Sequence, residues 1–198
     1  MAYSDFTLSR VKTDFDLTIA ENVDLFQGVE AIAPSELLSL TLKETIPLVS
    51  AINTEKARSE LIIAPILLEV RRQQKYQLSL FSGVDFVVAP EKGLNGFCDF
   101  ILSRSMEQYF ISSPIVTIVE AKNENIKAGL GQCTATMVAA QLFNEQESSE
   151  LKVIYGAVTT GSAWKFLKLE GQTIFIDLSD YYIKEVGQLL GILAATLH

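Results

Sequence analysis

One apolar strand, one helix and a second apolar strand set the terms for this chain. PIVTIVEAK (114–122) leads into a stretch from Lys127 to about Glu145 that reads as a helix, and LKVIYGAVTT (151–160) follows it. Two strands joined through a helix pair in parallel, because only a long crossover lets the chain re-enter the sheet in the same direction. Before this unit come two more strand-like runs, YQLSLFSGVDFVVAP and NGFCDFILSR, joined through Pro90-Glu91-Lys92-Gly93. Their short connections predict an antiparallel meander with PIVTIVEAK. After the unit, AWKFLKLE and QTIFIDL read as a hairpin turning at Glu170-Gly171-Gln172. The expected fold class is α/β: a mixed central β-sheet flanked by helices on both faces.

The remaining segments predict helices. Pro34-Ser35-Glu36 starts one that runs through LLSLTLKET. Asn53 or Thr54 starts a second, through EKARSELIIAPILLEVRRQ. Pro65 inside it cannot donate to Leu61, which predicts a kink. The run around Pro65 is apolar on nearly every side, the mark of a buried helix. Glu60 stands at its N-terminal edge, on the stripe continued by Ile63, Leu67 and Val70. In the helix after the central strand, Ala128, Ala135 and Ala139 give a small-residue face suited to close approach to a sheet. SDYYIKEVGQLLGILAATL reads as a final helix capped by Ser179 or Asp180. The first 33 residues show only a possible strand at FDLTI and a turn near Gln27-Gly28. The expected organisation is one domain, with an N-terminal extension over 1–50, a core over 54–160 and a C-terminal hairpin and helix over 161–198.

Charge and residue usage narrow the chemistry. Sixteen basic against 24 acidic residues give a net charge of −8. Such a body does not adhere to a polyanion non-specifically, since phosphate binding draws on Lys and Arg. A basic strip beside a metal stays open, because the ion brings its own positive charge. MAYSDFTLSR opens polar, and no apolar stretch reaches the ~18 residues of a membrane span, so a cytoplasmic protein with no membrane partner is expected. Cys98 and Cys133 have neither a disulfide framework nor zinc-ligand spacing. The sole histidine is His198. A histidine-assisted nucleophile and a histidine-ligated zinc are thereby disfavoured. Carboxylates, lysines and a hard cation remain.

Those residues collect at one place. Side chains alternate on a strand. Phe97, Asp99 and Ile101 are therefore expected on one face of their strand, with Cys98, Phe100 and Leu102 on the other. Ile118, Glu120 and Lys122 share a face of the next strand, and Ala121 offers a carbonyl near its end. If Asp99 lies opposite, two carboxylates and a carbonyl converge as oxygen donors for a hard cation. Lys122 beside them would hold or deprotonate an attacking water and offset transition-state charge. The plainer account of Glu120 and Lys122 is a surface ion pair worth about 0–1 kcal/mol. Asp99 weighs against it, because an unpaired acid between Phe97, Phe100 and Ile101 would be costly.

Asp99 on one strand, then Glu120-Ala121-Lys122 at the end of the next, resembles the signature of the PD-(D/E)XK nuclease superfamily. Glu60 on the helix before the strands is similar to that superfamily's accessory acid. Gln132 on the helix after them resembles its recurrent polar residue near the lysine. The resemblance covers roughly residues 54–160 and implies a restriction-endonuclease-like core. It implies that Asp99 and Glu120 ligate Mg²⁺ or Mn²⁺ with the Ala121 carbonyl helping. It implies that Lys122 positions the nucleophilic water, that Glu60 holds a water of the metal shell or a second metal, and that Gln132 orients Lys122 or touches a phosphate. Cys98 stands where the pattern often has proline.

The leading expectation is a metal-dependent endonuclease-like phosphodiesterase acting on DNA rather than RNA, as a homodimer by resemblance alone. The alternative is a catalytically inactive nuclease-fold subunit with a binding or regulatory task. A hydrolase for a smaller phosphate ester is a third reading. Other candidates have plain roles: Asp85 as an exposed strand position, Arg71, Arg72 and Lys75 at a helix C-terminus, Asn123 and Asn125 in a turn, and Trp164 and Phe166 in strand packing.

Overall fold

The computed structural model describes residues 1–197; the histidine at 198 lies outside them. The chain is α/β, with seven strands in one mixed sheet of order β1-β7-β6-β5-β4-β3-β2. The predicted meander is β2 (Ser79–Asp85), β3 (Phe97–Ser103) and β4 (Ile115–Ala121), antiparallel throughout. Helix α5 (Ile126–Gln146) carries the chain to β5 (Val153–Thr159), which pairs with β4 in parallel. β6 (Ala163–Glu170) and β7 (Thr173–Tyr182) form the predicted hairpin. β1 (Thr18–Val23) then pairs with β7 in parallel, so the N-terminal region supplies an edge strand.

Helix starts follow from side-chain caps, which satisfy amides that have no partner inside the helix. Ser35 accepts from Leu38 N–H at the head of α2 (Glu36–Ile52). Thr54 accepts from Ala57 N–H at the head of α3 (Glu55–Arg58), and Asn125 accepts from Ala128 N–H at the head of α5. The region around Pro65 departs from a simple kink. Between α3 and α4 (Ala64–Gln73) the chain makes a π turn, Ser59–Ile63, closed by Ala64 N–H donating to Ser59 C=O. The wider turn lies just upstream of the residue that has no amide to give. Its extra residue rotates Glu60 off the stripe of Ile63, Leu67 and Val70: those three are buried while Glu60 is exposed. Nor is α4 apolar all round, because Leu68 is exposed and Glu69 is buried. Glu69 accepts from Ser35 N–H and Oγ–H at 3.0 and 2.9 Å and pairs with Arg72.

Three further sequence expectations are corrected. Helix α1 (Leu8–Asp14) occupies a region where no helix was expected, and it buries Val11. The last helix, α6 (Val186–Ala195), begins later than Ser179 or Asp180, because β7 continues through them to Tyr182. Asp180 lies opposite Lys165 on β6 and pairs with it at 2.7 Å, so a cross-strand contact takes the residue that looked like a cap. In α5, Ala135 and Ala139 are buried as expected, but Ala128 is exposed and its neighbour Gly129 makes the close approach.

Buried apolar side chains form two clusters. One joins Cys133, Ala135 and Ala139 of α5 to Ile101, Ile118 and Val158. The other joins Leu38 of α2, Leu67 of α4 and Leu190 of α6 to Phe100, Val119 and Ala157. Adjacent residues on β3, β4 and β5 thus enter different clusters, as strand alternation requires. Among the described residues, no helix is long and apolar enough to cross a membrane.

Candidate metal centre

The ends of β3 and β4 make the site. Their ladder runs from Ser103 opposite Ile115 to Phe100 opposite Val119. Beyond Val119, the Ala121 N–H donates to the Asp99 carboxylate, Oδ2, at 2.8 Å. A side chain therefore takes an amide at the point where the strands part. The alternation breaks at the same point: Cys98 packs in the cluster of Ile101, not in that of Phe100 and Leu102.

Glu120 is 2% exposed. Lys122 Nζ donates to its Oε1 at 2.6 Å and to Gln132 Oε1 on α5 at 3.1 Å. The expected shared face of Glu120 and Lys122 is therefore real, and Gln132 reaches it from the helix. Burial pushes the Glu120 carboxyl up to about 8, helped by the charge of Asp99 and a hydrogen bond with it, and opposed by Lys122. For Lys122, burial lowers the proton affinity, but the charge and hydrogen bond of Glu120 outweigh it, with smaller help from Glu55 and Asp99, and the net shift is upward. The two shifts have different causes: burial raises Glu120 against the pull of Lys122, whereas Lys122 is raised by the acids against its own burial.

In front of Asp99 lies a cleft of about 290 Å³. Glu55 and Glu60 form one wall, Gly83 of β2 another, and Asp99 and Ala121 the floor. Glu60 pairs with Lys56 at 3.3 Å, one helical turn away. The structure thus brings Glu60, Asp99 and Ala121 to one cleft. Glu120, Lys122 and Gln132 do not line it; they form a hydrogen-bonded chain next to Ala121. A larger cavity of about 450 Å³, bounded by α5, β6 and β7, contains none of the predicted site residues.

Asp99, Glu120 and the Ala121 carbonyl are the oxygen donors that could hold a hard cation here. Among the described residues, no group of three or more His, Cys, Asp or Glu side chains is placed to hold a metal.

Three neighbours escaped the sequence. Arg58 donates to Asn123 Oδ1 at 3.1 Å, Thr160 C=O at 3.0 Å and Asn53 Oδ1 at 2.7 Å. It fastens α3 to the loops after β4 and β5, and no local pattern marks it. Glu55 adds negative charge near Lys122. Gly129 lies where a Cβ would meet Val158 Cγ1 at 2.6 Å and Lys122 Cγ at 3.0 Å. The paired glycines of AGLGQC are the signal that could have found it. No known protein-family model and no curated protein sequence matches the chain.

Proposed function

We propose that this protein is a metal-dependent phosphodiesterase with a restriction-endonuclease-like core, hydrolysing DNA as a cytoplasmic homodimer. The observation that carries the reading is the convergence at the ends of adjacent strands of Asp99, which accepts from Ala121 N–H, with Glu120, to which Lys122 is bonded. The order α3–α4, β2–β3–β4, α5, β5 supports the core. The two apolar clusters support helices on both faces of the sheet, with α5 on one and α2, α4 and α6 on the other.

Asp99, Glu120 and the Ala121 carbonyl would hold Mg²⁺ or Mn²⁺. When bound, such an ion lowers the pKa of a coordinated water and neutralises charge on a phosphoryl oxygen. Lys122 holds the attacking water with Nζ and offsets charge that develops on phosphate. Gln132 keeps Nζ aimed, through its 3.1 Å hydrogen bond. Glu60 holds a water on the opposite wall of the cleft. Asp99→Ala, Glu120→Ala and Lys122→Ala are each expected to remove Mg²⁺- or Mn²⁺-dependent cleavage of plasmid and linear DNA while leaving the circular dichroism spectrum unchanged. Cleavage retained in all three variants overturns the mechanism.

A nuclease-fold binding or regulatory subunit is the second reading, favoured by the net charge of −8. Calorimetric titration with Mn²⁺ separates the two. Binding lost in Asp99→Ala supports the enzyme, whereas no binding together with a co-purifying partner supports the subunit.

A further inference from the structure

We infer that Phe97 is a stacking platform for a nucleotide base beside the scissile phosphate, which makes single-stranded DNA the preferred substrate. The inference rests on the proposed nuclease reading and deepens it. A single exposed apolar side chain needs no explanation by itself. Phe97 is 72% exposed, and its position gives that exposure a meaning. It stands two residues before Asp99 on β3, roughly 7 Å along the strand. Register fixes its face. Cys98 and Val84 lie opposite each other; Cys98 belongs to the cluster of α5, and Val84 packs against it. Phe97 and Asp85, the next pair, are therefore directed to the other face of the sheet. That is the face of α3, whose Ala57 packs in the second cluster and whose Glu55 walls the cleft. Phe97 thus looks out on the side from which the cleft opens.

The surroundings select the occupant. β2 is the last strand of the sheet, and a Cβ added at Gly83 would meet nothing within 4 Å. The cleft is open past Gly83, and the pair Asp85 and Phe97 lies beyond it. Anchors for phosphate are scarce there. Lys56, the one cation among the residues that line the cleft, pairs with Glu60 at 3.3 Å. Asp85 is exposed opposite Phe97 and repels phosphate. What Phe97 offers is a ring face, and the uncharged part of a nucleotide that fits a ring face is its base. In a duplex the bases are paired and stacked on one another, and reaching one costs unstacking. In a single strand the base is free to stack on the ring. A single strand also has a lower charge density than a duplex, so the acidic body opposes it less.

The test uses the full chain and a fluorescein-labelled oligonucleotide of mixed sequence, alone and annealed to its complement. Binding is followed by anisotropy in Ca²⁺ and cleavage rates in Mn²⁺. The wild type is expected to favour the single strand about tenfold in both, within the range for one base stacked on an aromatic ring. Phe97→Ala is expected to bring that ratio close to one, with an unchanged circular dichroism spectrum because the side chain is exposed. Phe97→Leu, apolar but without a ring, should behave like Phe97→Ala, whereas Phe97→Trp should keep the preference. A wild type that neither binds nor cuts either form overturns the nuclease reading and this inference with it. A wild type that cuts the duplex at least as fast as the single strand overturns the inference alone. So does a preference that survives in Phe97→Ala or Phe97→Leu, or one that disappears in Phe97→Trp.

Discussion

Glu120 is held where its charge is costly. In the unfolded chain its pKa stands near 4.5, and burial beside Asp99 raises it to about 8 in the fold. The folded state therefore binds this proton more tightly than the unfolded state. Its stabilising contribution is complete below about 4.5 and is lost as pH rises through about 8. In EDTA, the wild type is expected to lose stability across that window, by an amount on the order of a few kcal/mol at most. Glu120→Gln keeps the shape without the titration, so its urea midpoint should lack this fall. Lys122→Met should extend the fall to higher pH, because Lys122 is the group that opposes the shift. Parallel pH profiles for wild type and Glu120→Gln would show that Glu120 ionises without penalty, contrary to its burial. Its grouping with Lys122 was legible in the sequence because a strand places residues two apart on one face. That Asp99 stands on the neighbouring strand, where it accepts from Ala121 N–H, was legible only as a condition on the pairing of the two strands. What burial does to the proton of Glu120 was not legible, since burial depends on the packed fold and not on the local pattern.

The elements show the same division between local pattern and distant contact. The meander, the parallel crossover and the hairpin were readable because apolar period and turn residues are local. β7 ran past its expected end because Asp180 answers to Lys165 across the strand pair. The rotation of Glu60 off its stripe was hidden because Pro65 announces a disturbance but not a π turn. Close approach of α5 to the sheet is the element-scale feature on which the site rests. At Gly129, an added Cβ would press on Val158 and on the stem of Lys122. Gly129→Ala is expected to destabilise by about 1–3 kcal/mol through overpacking. It should also lower cleavage further than that loss explains, because Lys122 must move; urea melts and cleavage rates measured together check this. At the other end of α5, Asn144 accepts from Ile115 N–H and donates to Ile115 C=O, both at 2.8 Å and buried. Asn144→Ala should cost about 2–4 kcal/mol, because two buried backbone groups lose their partner. Unlike Gly129→Ala, it should leave the cleavage rate of the folded fraction unchanged.

At the scale of the whole molecule, the acidic body opposes the proposed substrate. A net charge of −8 repels a polyanion at long range, and Glu55, Glu60 and Asp99 add negative charge at the cleft itself. Lys122 cannot reverse this alone, since its ammonium is already held by Glu120. A nuclease built this way needs a cation both to approach phosphate and to cleave it. Divalent metal should therefore control binding as well as turnover. In EDTA the protein is expected to give no shift of a short DNA duplex in a native gel. In Ca²⁺, an oxygen-seeking ion of the same charge that also suits carboxylates, the shift should appear. Asp99→Ala should abolish it, since that variant removes a carboxylate from the cleft floor. Lys122→Met should retain it, because in the proposed mechanism Lys122 would hold the attacking water and would not ligate the cation. Equal binding with and without Ca²⁺ would place the DNA contact elsewhere on the surface and separate it from the carboxylates.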